Sequence, residues 1–123
     1  MAWTLDSDSP IFLQIVERIQ MDIISGRYAP GQRLPSVRDL AAEAAVNPNT
    51  MQRAFMELER IGLVYSVRTN GRYITEDTTM IEELKNSVAK EKINEFLTAM
   101  QGLGYKNEEI LSLMQNTLKG GAQ

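Results

Sequence analysis

Cysteine is absent from the 123 residues, and so is histidine. The first absence excludes disulfides, thiolate metal sites and a cysteine nucleophile. The second removes the commonest general base and the commonest transition-metal ligand. No apolar run approaches the roughly 18 residues that a membrane-crossing helix needs. The opening Met1-Ala2-Trp3-Thr4-Leu5-Asp6 has neither the basic start nor the apolar stretch of a secretory signal. These absences predict a cytoplasmic chain with no membrane partner, no metal, no cofactor and no enzymatic chemistry. The pairs Glu82-Glu83 and Glu108-Glu109 have no convergent partner to make them acid–base or metal sites, and read as solvated helix ends. Hydrophobic residues are 43% of the chain, enough to build a packed core.

The net charge of −3 conceals a segregation. From Met1 to Gly26 one arginine faces four acids. From Arg27 to Arg72 seven arginines face four acids, a surplus of three positive charges. From Tyr73 onward five lysines face eight acids. Every arginine lies at or before Arg72 and every lysine after it. The guanidinium is a planar fork of donors suited to phosphates and guanine edges, so the middle segment is a candidate nucleic-acid face, although on charge alone so modest a surplus fits a solvated surface equally well.

Local signals divide that segment into helices and a hairpin. Ser9 as N-cap with Pro10 at the first helical position predicts a helix carrying Phe12, Ile15, Ile19 and Ile23 on its buried side. Gly26 terminates it and Pro30-Gly31 turns the chain. A second, short helix begins at Ser36, where Asp39 completes a variant of the capping box; Val37, Leu40, Ala41 and Ala44 form its buried stripe. After a three-residue turn, Asn47 and Pro48 start a third helix. Met51, Ala54, Phe55, Leu58 and Ile61 make its apolar face and Gly62 ends it. Asn49, Gln52, Arg53, Met56 and Arg60 lie on the opposite side. Two strand-like runs follow, 63–67 and 72–75, with Asn70-Gly71 between them as a hairpin signal.

Helix, helix, tight turn, helix, hairpin is the layout of a winged helix-turn-helix. The fold class expected is mainly α with one small β-hairpin. The domains expected are 1–76, a DNA-binding winged helix, and 77–123, a two-helix dimerisation segment. In the latter, Leu84, Val88, Phe96, Leu97 and Met100 stripe a helix over 80–101. Gly102-Leu103-Gly104 breaks it. Asn107 caps a last helix lined by Ile110, Leu111 and Met114. Two helices cannot hide these stripes from water by themselves; they need the N-terminal domain, a second copy of the chain, or both, and a homodimer is the expectation.

In such a fold the second helix of the motif offers its N-terminal residues to major-groove base edges. Candidate DNA-binding residues are therefore Arg38, Asn47, Asn49, Thr50, Gln52 and Arg53, with Arg68, Asn70, Gly71 and Arg72 at the hairpin tip. Asn and Gln suit adenine and Arg suits guanine, although the same groups also bind phosphate. Each has a plainer alternative: Asn47 as a cap, Asn70-Gly71 as a turn, Arg53 and Arg60 as surface residues. A winged module that docks a protein through the same face is the competing function, and the polar recognition face and the arginine segregation weigh against it.

At these positions the chain resembles a known family. Gly31-Gln32-Arg33-Leu34-Pro35-Ser36-Val37-Arg38-Asp39-Leu40-Ala41 is similar to the G-x-x-LPS-x-R-x-LA signature of GntR-type regulators. Val46-Asn47-Pro48-Asn49-Thr50, then Arg53-Ala54, Leu58-Glu59 and Gly62-Leu63, extend the match. The VNPNT form, Ser9-Pro10-Ile11 and the short tail resemble the YtrA-like subfamily. The resemblance implies homodimers that bind palindromic double-stranded DNA operators, usually as repressors, often beside genes for ABC transporters. It also implies contacts at Arg38, Asn49, Thr50 and Gly71. The chain departs from the family pattern at Pro48, where a basic residue is common, and at Gln52, where arginine is. Thr69 replaces a wing glycine, and Ala45 holds a turn position often given to glycine. The short tail leaves little room for a small-molecule effector pocket within one chain; the effector is unknown, and the dimer interface or the join between tail and winged domain is the expected place for one.

Overall fold

A computed structural model describes residues 3–120. It contains helices α1 (Ile11–Ile24), α2 (Val37–Ala44) and α3 (Pro48–Arg60), strands β1 (Val64–Val67) and β2 (Gly71–Ile74), and helices α4 (Thr78–Gly102) and α5 (Asn107–Leu118). The chain divides into two units, one ending at Leu84 and one beginning at Lys85.

In the first unit, α1 contributes Ile15, Val16, Ile19 and Ile23 to the core. They meet Leu40, Ala41 and Ala44 from α2 and Met51, Ala54, Phe55 and Leu58 from α3. Leu63, Val64 and Ile74 close the core from the hairpin. Each large side chain so buried is worth about 1.5–3 kcal/mol. Trp3 also joins the core; its indole N–H donates to Glu43 at 3.2 Å, and Arg18 lies 4.5 Å from its ring centroid. Burial, reinforced by Asp22 and Glu43, pushes the Tyr28 phenol above its ordinary pKa.

The start of α1 differs from expectation. Pro10, not Ser9, is the boundary residue, and no side chain caps it. Gln14 does the organising instead: its amide donates to the Ser9 carbonyl at 2.9 Å and the Asp6 carbonyl at 2.8 Å. Phe12 is only half-buried, and Val16 fills the core position that the spacing assigned to it. The next two helices start at the residues that the sequence marks. Ser36 Oγ accepts from the Asp39 N–H at 3.0 Å. Asn47 Oδ1 accepts from the Asn49 N–H at 2.7 Å, with Pro48 in the first turn. Between the helices, Ala45 has φ 61° and ψ 47°.

β1 and β2 pair antiparallel, Val64 opposite Ile74 and Val67 opposite Gly71. The loop is Arg68-Thr69-Asn70, so Gly71 opens the strand rather than completing a two-residue turn with Asn70. Thr69 takes the positive φ of 70° there. The segment before α2 adds a third edge: Arg33 bridges Tyr73, the Ile74 N–H donates to the Gln32 carbonyl, and the Leu34 N–H donates to the Arg72 carbonyl, both at 2.8 Å. Asp77 begins α4, its Oδ1 accepting from the Met80 N–H at 3.0 Å.

In the second unit, Lys106 rather than Asn107 stands at the N-cap of α5, where the Glu109 carboxylate accepts from its backbone N–H at 2.8 Å. Asn107 is the first helical residue and accepts from Gln101 instead. Among the described residues, no helix is long and apolar enough to cross a membrane.

Candidate nucleic-acid interface

The geometry of α3 follows from its two-sided composition. Met51, Ala54, Phe55 and Leu58 are sealed in the core, while Asn49, Arg53, Met56 and Arg60 stay in solvent. The N-cap and the proline fix where the helix begins, so its first turn presents Asn49 and Thr50 at a defined end. Asn47 is exposed, but its side-chain oxygen is engaged by the Asn49 N–H. Gln52 is half-buried.

Two surface hollows gather most of the expected residues. The first, about 380 Å³, is lined by Asn49, Thr50 and Arg53 together with Pro10, Ile11 and Phe12 from the start of α1. The second, about 310 Å³, is lined by Arg38, Gly71 and Arg72 with Arg33 and Ser36. Arg33 was not among the expected residues. It lies across the wing so closely that a β-carbon at Gly71 would stand 3.2 Å from its Nε. Its place there depends on the bridge to Tyr73, a non-local pairing that no periodicity announces.

Arg68 and Asn70 are exposed on the wing loop. Arg72 is not presented in the same way. Its guanidinium pairs with Glu59 on α3 and lies 5.2 Å from the centroid of the buried Phe55 ring. It thereby ties wing to recognition helix. Tyr65 and Tyr73 stack across the strands with centroids 5.9 Å apart, stiffening the same hairpin.

Charge on the outer face of α3 is also arranged. Arg60 grips Glu57 with two donors, Nε at 2.8 Å and Nη2 at 2.6 Å. That grip holds the Glu57 carboxyl below the ordinary carboxylate range and raises the Arg60 guanidinium. Arg53, one helical turn before Glu57, instead lies over the Phe12 ring, 3.9 Å from its centroid.

Of the expected dimerisation residues, Leu84 packs against the core of the first unit. In the second unit Val88, Leu97 and Met100 are half-buried and Phe96, Leu111 and Met114 exposed. Ile110 is buried within the chain, with almost no surface left to offer a partner.

A helix-turn-helix with its polar recognition face in solvent and an arginine-bearing β-wing beside it defines the class: a winged helix-turn-helix DNA-binding protein. The comparisons carry this further. Residues 12–74 match the family model described as bacterial regulatory proteins, gntR family. The chain is 38% identical over 115 residues to the uncharacterized HTH-type transcriptional regulator YhcF of Bacillus subtilis, covering 94% of this chain and 95% of that one. It is 34% identical over 120 residues to the HTH-type transcriptional repressor YtrA of the same organism, covering 94% and 92%. A GntR family transcriptional regulator from Listeria monocytogenes superposes with a TM-score of 0.84 at 42% identity, over 91% of this chain and 98% of that one. AraR(DBD) in complex with operator ORX1 superposes with a TM-score of 0.55 at 26% identity, over 61% of this chain and 95% of that one. This chain belongs to the GntR family. It is a DNA-binding transcriptional regulator, of a family of regulators rather than enzymes.

Proposed function

We propose that the chain is a repressor that binds a palindromic operator as a homodimer. Residues 1–76 supply the DNA-binding surface and 77–123 join two copies. The observation that carries this reading is the exposure of Asn49 and Arg53 on a helix whose opposite face is locked in the core. Two such helices enter successive major grooves about 34 Å apart. Arg38 and Arg68 hold phosphates and set affinity. Asn49, Thr50, Gln52 and Arg53 read base edges and set selectivity. Asn47 fixes the start of the reading helix, and Asn70 and Gly71 shape the wing that Arg72 anchors. The similarity to the repressor YtrA supports repression, and control of an ABC transporter operon is the target we infer from the YtrA-like sequence pattern. An effector, if one acts, changes the spacing of the two reading helices by favouring one dimer arrangement.

Selection on randomised duplex DNA tests the reading. It is expected to return an inverted repeat with half-sites about one helical turn apart. Arg38→Ala should then weaken binding to every sequence and reduce the salt slope by about two phosphate equivalents, one for each copy in the dimer. Recovery of no motif, or of a motif without two-fold symmetry, would overturn the proposal.

A further inference from the structure

The proposed reading leaves one contact of the recognition helix without a role. Phe12 belongs to α1, yet its ring lies under the Arg53 guanidinium at 3.9 Å. It stands at the edge of the hollow that also holds Asn49 and Thr50. The spacing of α1 assigns Phe12 to the core, but the core takes Val16 instead. The ring is thus left half outside, at the foot of the reading helix.

The charge arrangement around Arg53 has the same direction. An arginine four residues before a glutamate on a helix ordinarily pairs with it. Here Glu57 is occupied by both donors of Arg60. Among the described residues no carboxylate pairs with Arg53. Its positive charge is therefore not neutralised by an ion pair, and the contact found at its guanidinium carbon is the Phe12 ring. A cation over an aromatic ring uses the face of the fork and leaves the edge N–H donors pointing outward.

From this we infer that Phe12 is a positioning residue for DNA binding. It holds the Arg53 fork flat and pre-oriented for a pair of acceptors, and the Arg60–Glu57 pair keeps the nearest carboxylate from capturing that fork. The acceptors are either the oxygens of a backbone phosphate or the O6 and N7 of a guanine, which present the same geometry to an arginine. Without the ring, Arg53 would have to be ordered on binding, a cost of about 0.5–1.5 kcal/mol for a long side chain. The inference rests on the reading of α3 as the recognition helix.

The test uses the full-length chain on the operator recovered by selection, with Phe12→Leu, Phe12→Tyr, Arg53→Ala and the double variant Phe12→Leu with Arg53→Ala. Leucine keeps the apolar bulk and removes the ring, so thermal stability should stay near that of the parent. Operator affinity of the dimer should fall about five- to a hundredfold, the ordering cost of one Arg53 in each of the two copies expressed as a binding ratio. Tyrosine should restore it. In the Arg53→Ala background, Phe12→Leu should cost nothing further. Salt titration and repeated selection then place the acceptors. A slope reduced by about two equivalents in Arg53→Ala, one for each copy, assigns them to phosphate, and a lost preference at one base pair of each half-site assigns them to guanine. Losses that add in the double variant, or a Phe12→Leu protein that binds like the parent, overturn the inference while leaving the regulator reading intact. A parent protein that selects no DNA sinks the regulator reading first.

Discussion

Two residues other than glycine take a positive φ among those described, and both lie beside the proposed DNA-binding surface: Ala45 at 61° in the turn between α2 and α3, and Thr69 at 70° in the wing loop. For an L-residue the left-handed region costs roughly 1–2 kcal/mol. Ala45 is exposed, so its methyl group returns little packing energy to offset that cost. Its backbone N–H reaches back toward α2 at 3.3 Å from the Ala42 carbonyl, which closes the helix and fixes the turn. Ala45→Gly removes the steric cost but frees the unfolded chain, which takes back about 0.4–1 kcal/mol. The net expectation is a gain of about 0.5–1 kcal/mol. In a urea titration it should appear as a higher midpoint with an unchanged slope. A midpoint that falls would mean that Ala45 makes a contact outweighing its backbone strain. Arg72 gives the complementary lesson at this scale. It has the composition of a DNA contact, yet its partner is Glu59. Sequence position alone does not separate an arginine that anchors the wing from one that the wing presents.

The elements that were legible are those whose signals are local. Ser36 and Asn47 each accept from the backbone within three residues, so capping chemistry alone places α2 and α3. The hairpin was equally readable from its strand runs and from Asn70-Gly71, although Thr69 rather than Asn70 carries the loop's positive φ. What the sequence hid is held by distant partners. The start of α1 depends on Gln14 reaching back to Asp6, the third edge of the wing on Arg33 meeting Tyr73, and the position of Phe12 on Arg53. No window of spacing or propensity contains Arg33 with Tyr73 or Phe12 with Arg53, and the Gln14–Asp6 contact, though near in sequence, belongs to a loop that has no period. A prediction at this scale separates the two roles open to Asn47. Aspartate caps a helix as well as asparagine does, and favours the positive end of the helix dipole. Asn47→Asp should therefore keep the thermal midpoint of the parent while placing a negative charge at the end of α3 proposed to meet DNA, lowering operator affinity at every sequence. Asn47→Ala should lose about 1 kcal/mol of stability and retain more affinity than the aspartate variant. If both bind operator alike, the N-terminus of α3 does not approach phosphate.

At the scale of the whole molecule, the two units have opposite surface economies. The first encloses a core with members from three helices and the hairpin. In the second, α4 and α5 bury Ile110 but leave Leu103 74%, Leu111 57% and Leu118 83% exposed. A hollow of about 370 Å³ between Phe96, Met100, Leu113, Met114 and Leu118 is almost wholly apolar. Exposed apolar side chains that line a hollow are candidates for a protein contact, and homodimer contacts are the more apolar class of interface. If these residues join two copies, charge placed among them must separate the copies while leaving the first unit folded. The variant carrying Leu111→Glu and Met114→Glu is therefore expected to sediment as a monomer with the core transition of the winged unit preserved. Linking two half-site contacts raises avidity by about 10²–10⁴ without adding any contact. Affinity for the full operator should drop by that factor, and affinity for an isolated half-site should not change. A dimer that survives both glutamates would place the interface elsewhere on the chain. A monomer that still binds the full operator as tightly as the parent would show that the two reading helices act independently, and the palindrome would lose its physical basis.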